Sequence, residues 1–495
     1  GSDFNLNVNA GGNIMTQHSE LNSVVGDGVV IPGLEVVNNT STRSVSLTES
    51  NKRINSLFAT AELGYRNYLY LNVTGRNDWF STLSKSHNNY FYPSASASFV
   101  FSELLNLPNF MDFGKFRVAY ASVGGDTDPY QLDLSYGLIG YTYDGHSLGT
   151  ISQSVVPNAL LRPLSVGEFE VGFDLRFFKN RLGVDMAVYN KLTKNDITRE
   201  TLTQTSGYSG ASVNVGKLQN KGVEFLIYGT PIQTSSFSWD ISLNGSYNKS
   251  KVLKISEGSN YLNIGSRGKA TIRLIEGKEY AQIVGPTILK NEAGQDILNN
   301  DGVNIVNRSN IVTFGSGIHK WNAGITNTFN YKSFSLTFLI DGKFGAKLYS
   351  VSSYELDHRG MTVKSLLGRA EGTILPGVKQ SDGKPNDILV TASMAGNRLI
   401  VINRREALDD YLYDGSFIKF RNLALTYNLP KRVLNSWRFI NGASISLIGN
   451  NLGLLMTHAK QIDPDGNYSA GNAQGIEASN LPPIRSYGVD IKLKF

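Results

Sequence analysis

The stretch FSWDISLNGSYN, residues 237–248, reads in twos: Phe237, Trp239, Ile241, Leu243 and Tyr247 fall on one side, Ser238, Asp240, Ser242, Asn244, Ser246 and Asn248 on the other. Such a backbone is extended, because a strand sends successive Cβ atoms to opposite faces. Working outward, Phe169, Val171, Phe173, Leu175 and Phe177 alternate with Glu168, Glu170, Gly172, Asp174 and Arg176. Leu182, Val184, Met186 and Val188 oppose Gly183, Asp185, Ala187 and Tyr189. The same period runs through 4–10, 54–66, 68–77, 92–101, 116–122, 221–230, 321–331, 334–341, 418–429, 443–450 and 487–495, giving about fourteen strands. Most approach the ~9–11 residues that a tilted strand needs to cross a bilayer.

The connections alternate as well. Arg66-Asn67, Lys179-Asn180 and Lys332-Ser333 join strands tightly, whereas 123–165, 193–219, 251–319, 344–415 and 451–483 are long. Short turns at one end and long loops at the other describe an outer-membrane barrel. Residues 363–370 could form a short loop helix, and no repeat of fixed period emerges.

Composition agrees. Gly is 50 of 495 residues and only 18% are charged, against a usual ~25%, so strands and turns are favoured. Cys is absent, which excludes disulfides, thiolate nucleophiles and Cys-ligated metals. The formal charge of +6 comes from Lys and Arg scattered singly, so a nucleic-acid interface is not indicated. No stretch has the ~18 apolar residues of a membrane helix, and no charged-then-apolar leader opens the chain.

A soluble β-sandwich also alternates, with its apolar face inward. Three features favour the membrane instead: long strands, aromatics at strand ends (Tyr65, Tyr68, Tyr90, Phe91, Tyr92, Phe178, Tyr331, Phe334), and a last strand that ends on Phe495. In that strand Tyr487, Val489, Ile491, Leu493 and Phe495 alternate with Gly488, Asp490, Lys492 and Lys494, which resembles the terminal assembly signal of bacterial outer-membrane proteins.

Several blocks, in order, extend the likeness: YLYLNVTGRNDW from Tyr68, YFYPSASASFVFSE from Tyr90, FGKFRVAYASVGGDT from Phe113, VGKLQNKGVEF from Val215, YDGSFIKFRNLALTYNLP from Tyr413, ISLIGNNLGLLMTHAKQIDPDG from Ile445 and PPIRSYGVDIKLKF at the end. Together they resemble the C-terminal portion of SusC/RagA-type TonB-dependent outer-membrane transporters of Bacteroidetes. The resemblance implies an all-β fold, a transmembrane antiparallel barrel of about 22 strands around a plugged lumen, with long extracellular loops and short periplasmic turns. It also implies import of oligomeric nutrients, glycans ahead of peptides, beneath a SusD-like surface lipoprotein, in a multi-pass protein of the Gram-negative outer membrane. No plug domain or TonB-contacting box is found, so residues 1–495 are expected to be the C-terminal barrel portion, with TonB engaged through a region outside this sequence.

Chemistry beyond transport finds little support. The histidines 18, 87, 146, 319, 358 and 458 show no H-E-x-x-H or H-x-H spacing, and no Gly-Lys pair completes a P-loop. Asp463-Pro464-Asp465-Gly466-Asn467 invites a calcium reading, but Tyr468 stands where an EF-hand needs Gly, so a turn is favoured and no metal or cofactor is expected. Glu168, Glu170, Asp174 and Arg176 share one face at the spacing of the pleat; with Asn72, Thr74, Arg76, Asp240 and Asn244 they are expected to line a hydrated lumen rather than to cleave glycosides. Trp79, Phe80, Tyr90, Tyr136, Tyr141, Tyr143, Tyr411 and Tyr413 lie in expected outer loops, where rings can stack on the C–H faces of sugars. The expected function is active import without enzymatic activity. A passive porin or adhesin barrel, a RagA-type peptide importer and a soluble carbohydrate-binding or hydrolytic protein are the alternatives.

Overall fold

The computed structural model describes residues 3–151, 153–255, 259–393, 404–434, 439–459, 461–466, 469, 471–481 and 483–495. Each of the alternating stretches is a strand: β1 (Phe4–Val29), β2 (Thr40–Tyr65), β3 (Leu69–Phe80), β4 (Asn89–Phe99), β5 (Met111–Gly125), β6 (Leu164–Phe177), β7 (Leu182–Thr201), β8 (Gly210–Gln233), β9 (Phe237–Lys254), β10 (Trp321–Tyr331), β11 (Phe334–Phe344), β12 (Phe417–Asn428), β13 (Gly442–Thr457) and β14 (Ser486–Lys494). Between β2 and β3, Arg66 and Asn67 both take positive φ, 46° and 63°. That backbone suits a two-residue hairpin because it matches the twist of the strands it joins.

The chain divides into two compact units. The first comprises Gly1–Ser98, Ala119–Phe169 and Leu192–Gly216. In it β1 pairs antiparallel with β2 from Phe4↔Tyr65 to Val29↔Thr40, and β2 with β3 from Tyr65↔Leu69 to Ile54↔Phe80. Residues directly opposite each other share a face. Leu6, Leu63 and Leu71 therefore form one row and Val8, Ala61 and Val73 another, while Asn7, Glu62 and Asn72 and then Asn9, Thr60 and Thr74 form rows on the opposite face. A one-residue slip would exchange the faces throughout. Cysteine placed at Leu71 is expected to react with a lipid-soluble maleimide, and at Asn72 with a water-soluble one; equal lipid accessibility at both sites would sink the assignment.

The second unit comprises Phe99–Val118, Glu170–Lys191 and Lys217–Phe495. Here β8 to β14 form an unbroken antiparallel ladder in chain order. Its register aligns Ile227, Leu243, Ile325, Ile340 and Phe420. Nearer the short turns it aligns Phe237, Tyr331, Phe334 and Tyr427, with the Phe334 and Tyr427 rings 4.9 Å apart. An aromatic row bordering an apolar band is the girdle of a membrane barrel. The polar partner row is Ser238, Asn330, Ser335, Thr426, Ser446 and Asp490.

The structure departs from the sequence reading in the loops. β1 and β2 are each 26 residues long, and β7 and β8 absorb most of 193–219. These extensions escape a period-two search because their apolar and polar residues do not alternate, as in Ile14-Met15 and Val24-Val25 of β1. The segment 251–319 contains a four-stranded sheet, Tyr261–Arg267, Ala270–Ile275, Gln282–Ile288 and Val306–Ser316, and 344–415 contains a helix, Val351–His358. The expected helix over 363–370 is only a 3₁₀ turn, Val363–Leu366. Within this unit the loops enclose a core of their own, in which Ile272, Ile283, Tyr349, Leu408, Tyr411 and Ile476 are almost fully buried.

Candidate functional site

On the polar face of the second unit, several charged residues are paired. Arg117 on β5 meets Asp185 on β7 at 2.8 Å and Glu170 on β6 at 3.4 Å, while Asp174 lies 3.7 Å from Lys115 and 3.9 Å from Arg176. The carboxylates of this unit that might have formed a glycosidase pair are thus each taken up by a cation. Asp240 accepts from Thr230 Oγ1 at 2.6 Å and Asn330 Nδ2 at 3.2 Å. A cleft of about 620 Å³ along this face is lined by Arg117, Asp185, Glu224, Asn244, Asp341 and Lys343.

A denser cluster sits at the loop end of β11 and β12. The register of β12 slips at Arg421: Phe420 and Asn422 have partners on both neighbouring strands, and Arg421 has a partner on neither. A bulge re-aims the extra residue. Arg421 thereby reaches Asp341 with Nε and Nη2, at 3.0 and 2.8 Å, and Asp465 with Nη1 at 3.1 Å. Lys419, its side chain only 4% exposed, holds Asp463 at 2.7 Å and Asp465 at 3.3 Å, and Lys343 holds Asp465 at 3.0 Å. Burial alone would raise the Asp465 carboxyl; the hydrogen bond and charge of Lys343, with the charges of Lys419 and Arg421, outweigh it and lower the pKa to about 2. Among the described residues three cations face three carboxylates, and together they pin the 461–466 segment to the wall. The Asp463 turn closes by Asp465 N–H to Asp463 Oδ1, 2.9 Å, and Gly466 N–H to Asp463 O, 3.1 Å. Asn467 and Tyr468, on which the calcium reading also bore, lie outside the described residues.

In the first unit Arg76 donates to Asp78, Tyr92 and Ser56 at 2.8, 2.8 and 2.7 Å, and Thr74 bonds Ser94, so the polar face of β3 is knitted sideways. Asn72 and Glu168 are half-buried. The aromatic candidates separate sharply. Phe80 is 3% exposed in a core with Leu83 and Leu161, against which Tyr90 packs, and Tyr90 also bonds Ser165. In the second unit Tyr411 is 1% exposed, its ring edge-on to Tyr354 at 5.8 Å, and Tyr413 is half-buried in the short strand Leu412–Asp414. Phe80 and Tyr411 are packed into cores, and neither presents a ring face to solvent. Trp79 is half-buried. Tyr136, Tyr141 and Tyr143, by contrast, are 80%, 77% and 75% exposed on one hairpin, Tyr136–Tyr143 with His146–Ile151.

Residues 2–452 match the family model described as TonB dependent receptor-like, beta-barrel. The chain belongs to this family. A TonB-dependent receptor of Formosa agariphila is 25% identical over 492 residues, covering 92% of this chain and 48% of that protein. TonB-dependent receptor SusC of Bacteroides thetaiotaomicron is 23% identical over 470 residues, covering 87% and 43%. The RagAB peptide importer in its closed-closed state superposes with a TM-score of 0.78 at 18% identity, covering all of this chain and 54% of that one, which shows a shared fold. The chain spans about half the length of the curated relatives it matches.

The residues of this receptor barrel that the sequence reading passed over are Asp341, Lys343, Lys419 and Arg421. Lys419 and Arg421 flank Phe420 in the alternating stretch 418–429, so their face was legible there. Their partners were not, because Asp463 and Asp465 are more than forty residues away and arrive only when the loop folds back.

Proposed function

We propose that the intact protein is an outer-membrane importer energised through TonB, which takes up an oligomeric nutrient, glycan ahead of peptide, beneath a SusD-like surface lipoprotein. Residues 1–495 form its C-terminal barrel portion, and TonB is engaged through a region outside them. The observation that carries this reading is the family match over residues 2–452. The bare rings of Tyr136, Tyr141 and Tyr143 support a glycan cargo, since an exposed tyrosine offers both a stacking face and a hydroxyl. The paired charges of the wall suit a hydrated passage, and transport proceeds without covalent chemistry in this chain. A peptide cargo is the second reading, motivated by the fold shared with the RagAB peptide importer.

Growth on single oligomers tests both. Cells lacking the gene are expected to lose growth on one class of glycan, and cells carrying Tyr141→Ala with Tyr143→Ala to grow on it more slowly. Normal uptake of every glycan and peptide without the gene would defeat the importer, and undiminished growth in a strain lacking TonB would favour a passive pore. Normal growth of the tyrosine variants alone would remove only those contacts.

A further inference from the structure

The hairpin that carries the three bare tyrosines springs from a loop that lines one side of an open cavity. This cavity, of about 660 Å³, lies wholly within the first unit and is lined by Tyr130, Asn51, Ser81, Gln131, Asp133 and Gln153 among others. Its size falls within the ~300–1,000 Å³ of small-ligand sites. Tyr130 stands at φ +63°, in the left-handed region that bulky side chains avoid, directly after Pro129. Core packing does not explain that conformation, because the side chain is 61% exposed. Instead the Tyr130 hydroxyl accepts the Asn51 N–H at 3.2 Å, which fixes the ring at the cavity. Strained conformations of this kind cluster where a ligand is held.

The opposite side is also fixed. Gln153 accepts from Ser135 N–H at 3.1 Å and donates to the Asp133 carbonyl at 3.4 Å, tying the cavity loop to the far side of the hairpin, and Gln131 accepts from Ser212 Oγ at 3.0 Å. Tyr136, 80% exposed, begins the hairpin one residue after the cavity loop ends. A ring flanked by amides, hydroxyls and a carboxylate is the chemistry that recognises a polyhydroxylated chain. The charge selects further. Among the described residues the lining contains no Lys or Arg, and the nearby Lys52 is committed to Asp126 at 2.8 Å. An anionic sugar would therefore meet Asp133 with no cation to balance it.

We propose that this cavity is a subsite for a neutral oligosaccharide, with Tyr130 stacking on one sugar ring and Asp133 accepting from sugar hydroxyls. The proposal rests on the glycan reading of the importer and narrows it to saccharides without sulfate or uronate. Its test uses the full-length protein with its lipoprotein partner, titrated calorimetrically with neutral hexasaccharides (malto-, laminari-, manno- and xylo-series), with oligogalacturonate and oligoalginate, and with tryptic casein peptides. Wild type is expected to bind one neutral series, Tyr130→Gly to bind it about tenfold more weakly, and Tyr130→Phe to stay within about threefold. Glycine accepts the positive φ, and both variants lose the bond to Asn51, so the difference between Tyr130→Gly and Tyr130→Phe reports the ring. Asp133→Asn is expected to weaken neutral binding and to leave the hairpin tied, because Gln153 bonds the Asp133 backbone.

Wild-type affinity in both Tyr130→Gly and Asp133→Asn overturns the subsite while the importer stands, since wild type still binds a glycan. Wild-type binding only to the anionic oligomers overturns the proposal and keeps the glycan reading. Binding only to casein peptides, or to nothing in the panel, overturns the proposal, and the growth experiment then reports separately whether import itself fails.

Discussion

Leu243→Arg is expected to destabilise the inserted barrel by ~2–4 kcal/mol, the cost of an arginine on the lipid face near the bilayer midplane. Leu243 lies in the row Ile227, Leu243, Ile325, Ile340 and Phe420, six residues from the aromatic row at Phe237, and a strand crosses in ~9–11. Asn244→Arg, one residue further, should cost less than ~1 kcal/mol, because that side chain lines a cleft already holding Asp185, Glu224 and Asp341. Urea titration of the protein refolded into phospholipid vesicles, read by heat-modifiable mobility in gels, measures both. Equal costs at the two positions would mean that the faces have been assigned wrongly.

The second large effect is expected at Lys419. Its ammonium is nearly inaccessible and lies between Asp463 and Asp465, so Lys419→Met leaves buried carboxylates short of a partner. Removing one member of a buried pair typically costs ~3–5 kcal/mol, and adding Asp463→Asn should restore part of it by removing the orphaned charge. The effect should be local, seen as faster hydrogen exchange and proteolysis at 461–466 with the wall strands unchanged. A uniform loss across β8 to β14 would instead make Lys419 a general stability residue. Acid gives an independent check. The Asp465 carboxyl is held at about 2 against an ordinary 3.8, so its contribution is complete above about pH 4 and is lost as the pH falls toward 2. Lys343→Met should move that loss to higher pH, because Lys343 is the principal cation on Asp465.

How far each part was legible follows from what its environment demands. Stretches bordered by lipid on one side and water on the other must alternate, so 237–248 and 487–495 declared their faces without any partner in view. The extensions of β1 and β2 carry no such alternation, and their 26-residue length emerged only from pairing. Among the aromatics, composition treated Tyr411 and Tyr141 alike. One is sealed among Ile272, Ile283 and Leu408 and the other stands bare on a hairpin, a difference set by neighbours from distant segments.

The sequence by itself determined the strand period, the facing of each membrane stretch, the ends that take tight turns and the family blocks, all of which depend on residues within a few positions of one another. Tertiary structure alone decided which loops fold onto each other, where the bulge at Arg421 aims its guanidinium, which carboxylates meet which cations and which rings stay free. Those outcomes depend on contacts between segments tens of residues apart. Local hydrophobicity specifies a face, but it does not specify which distant side chain arrives to meet it.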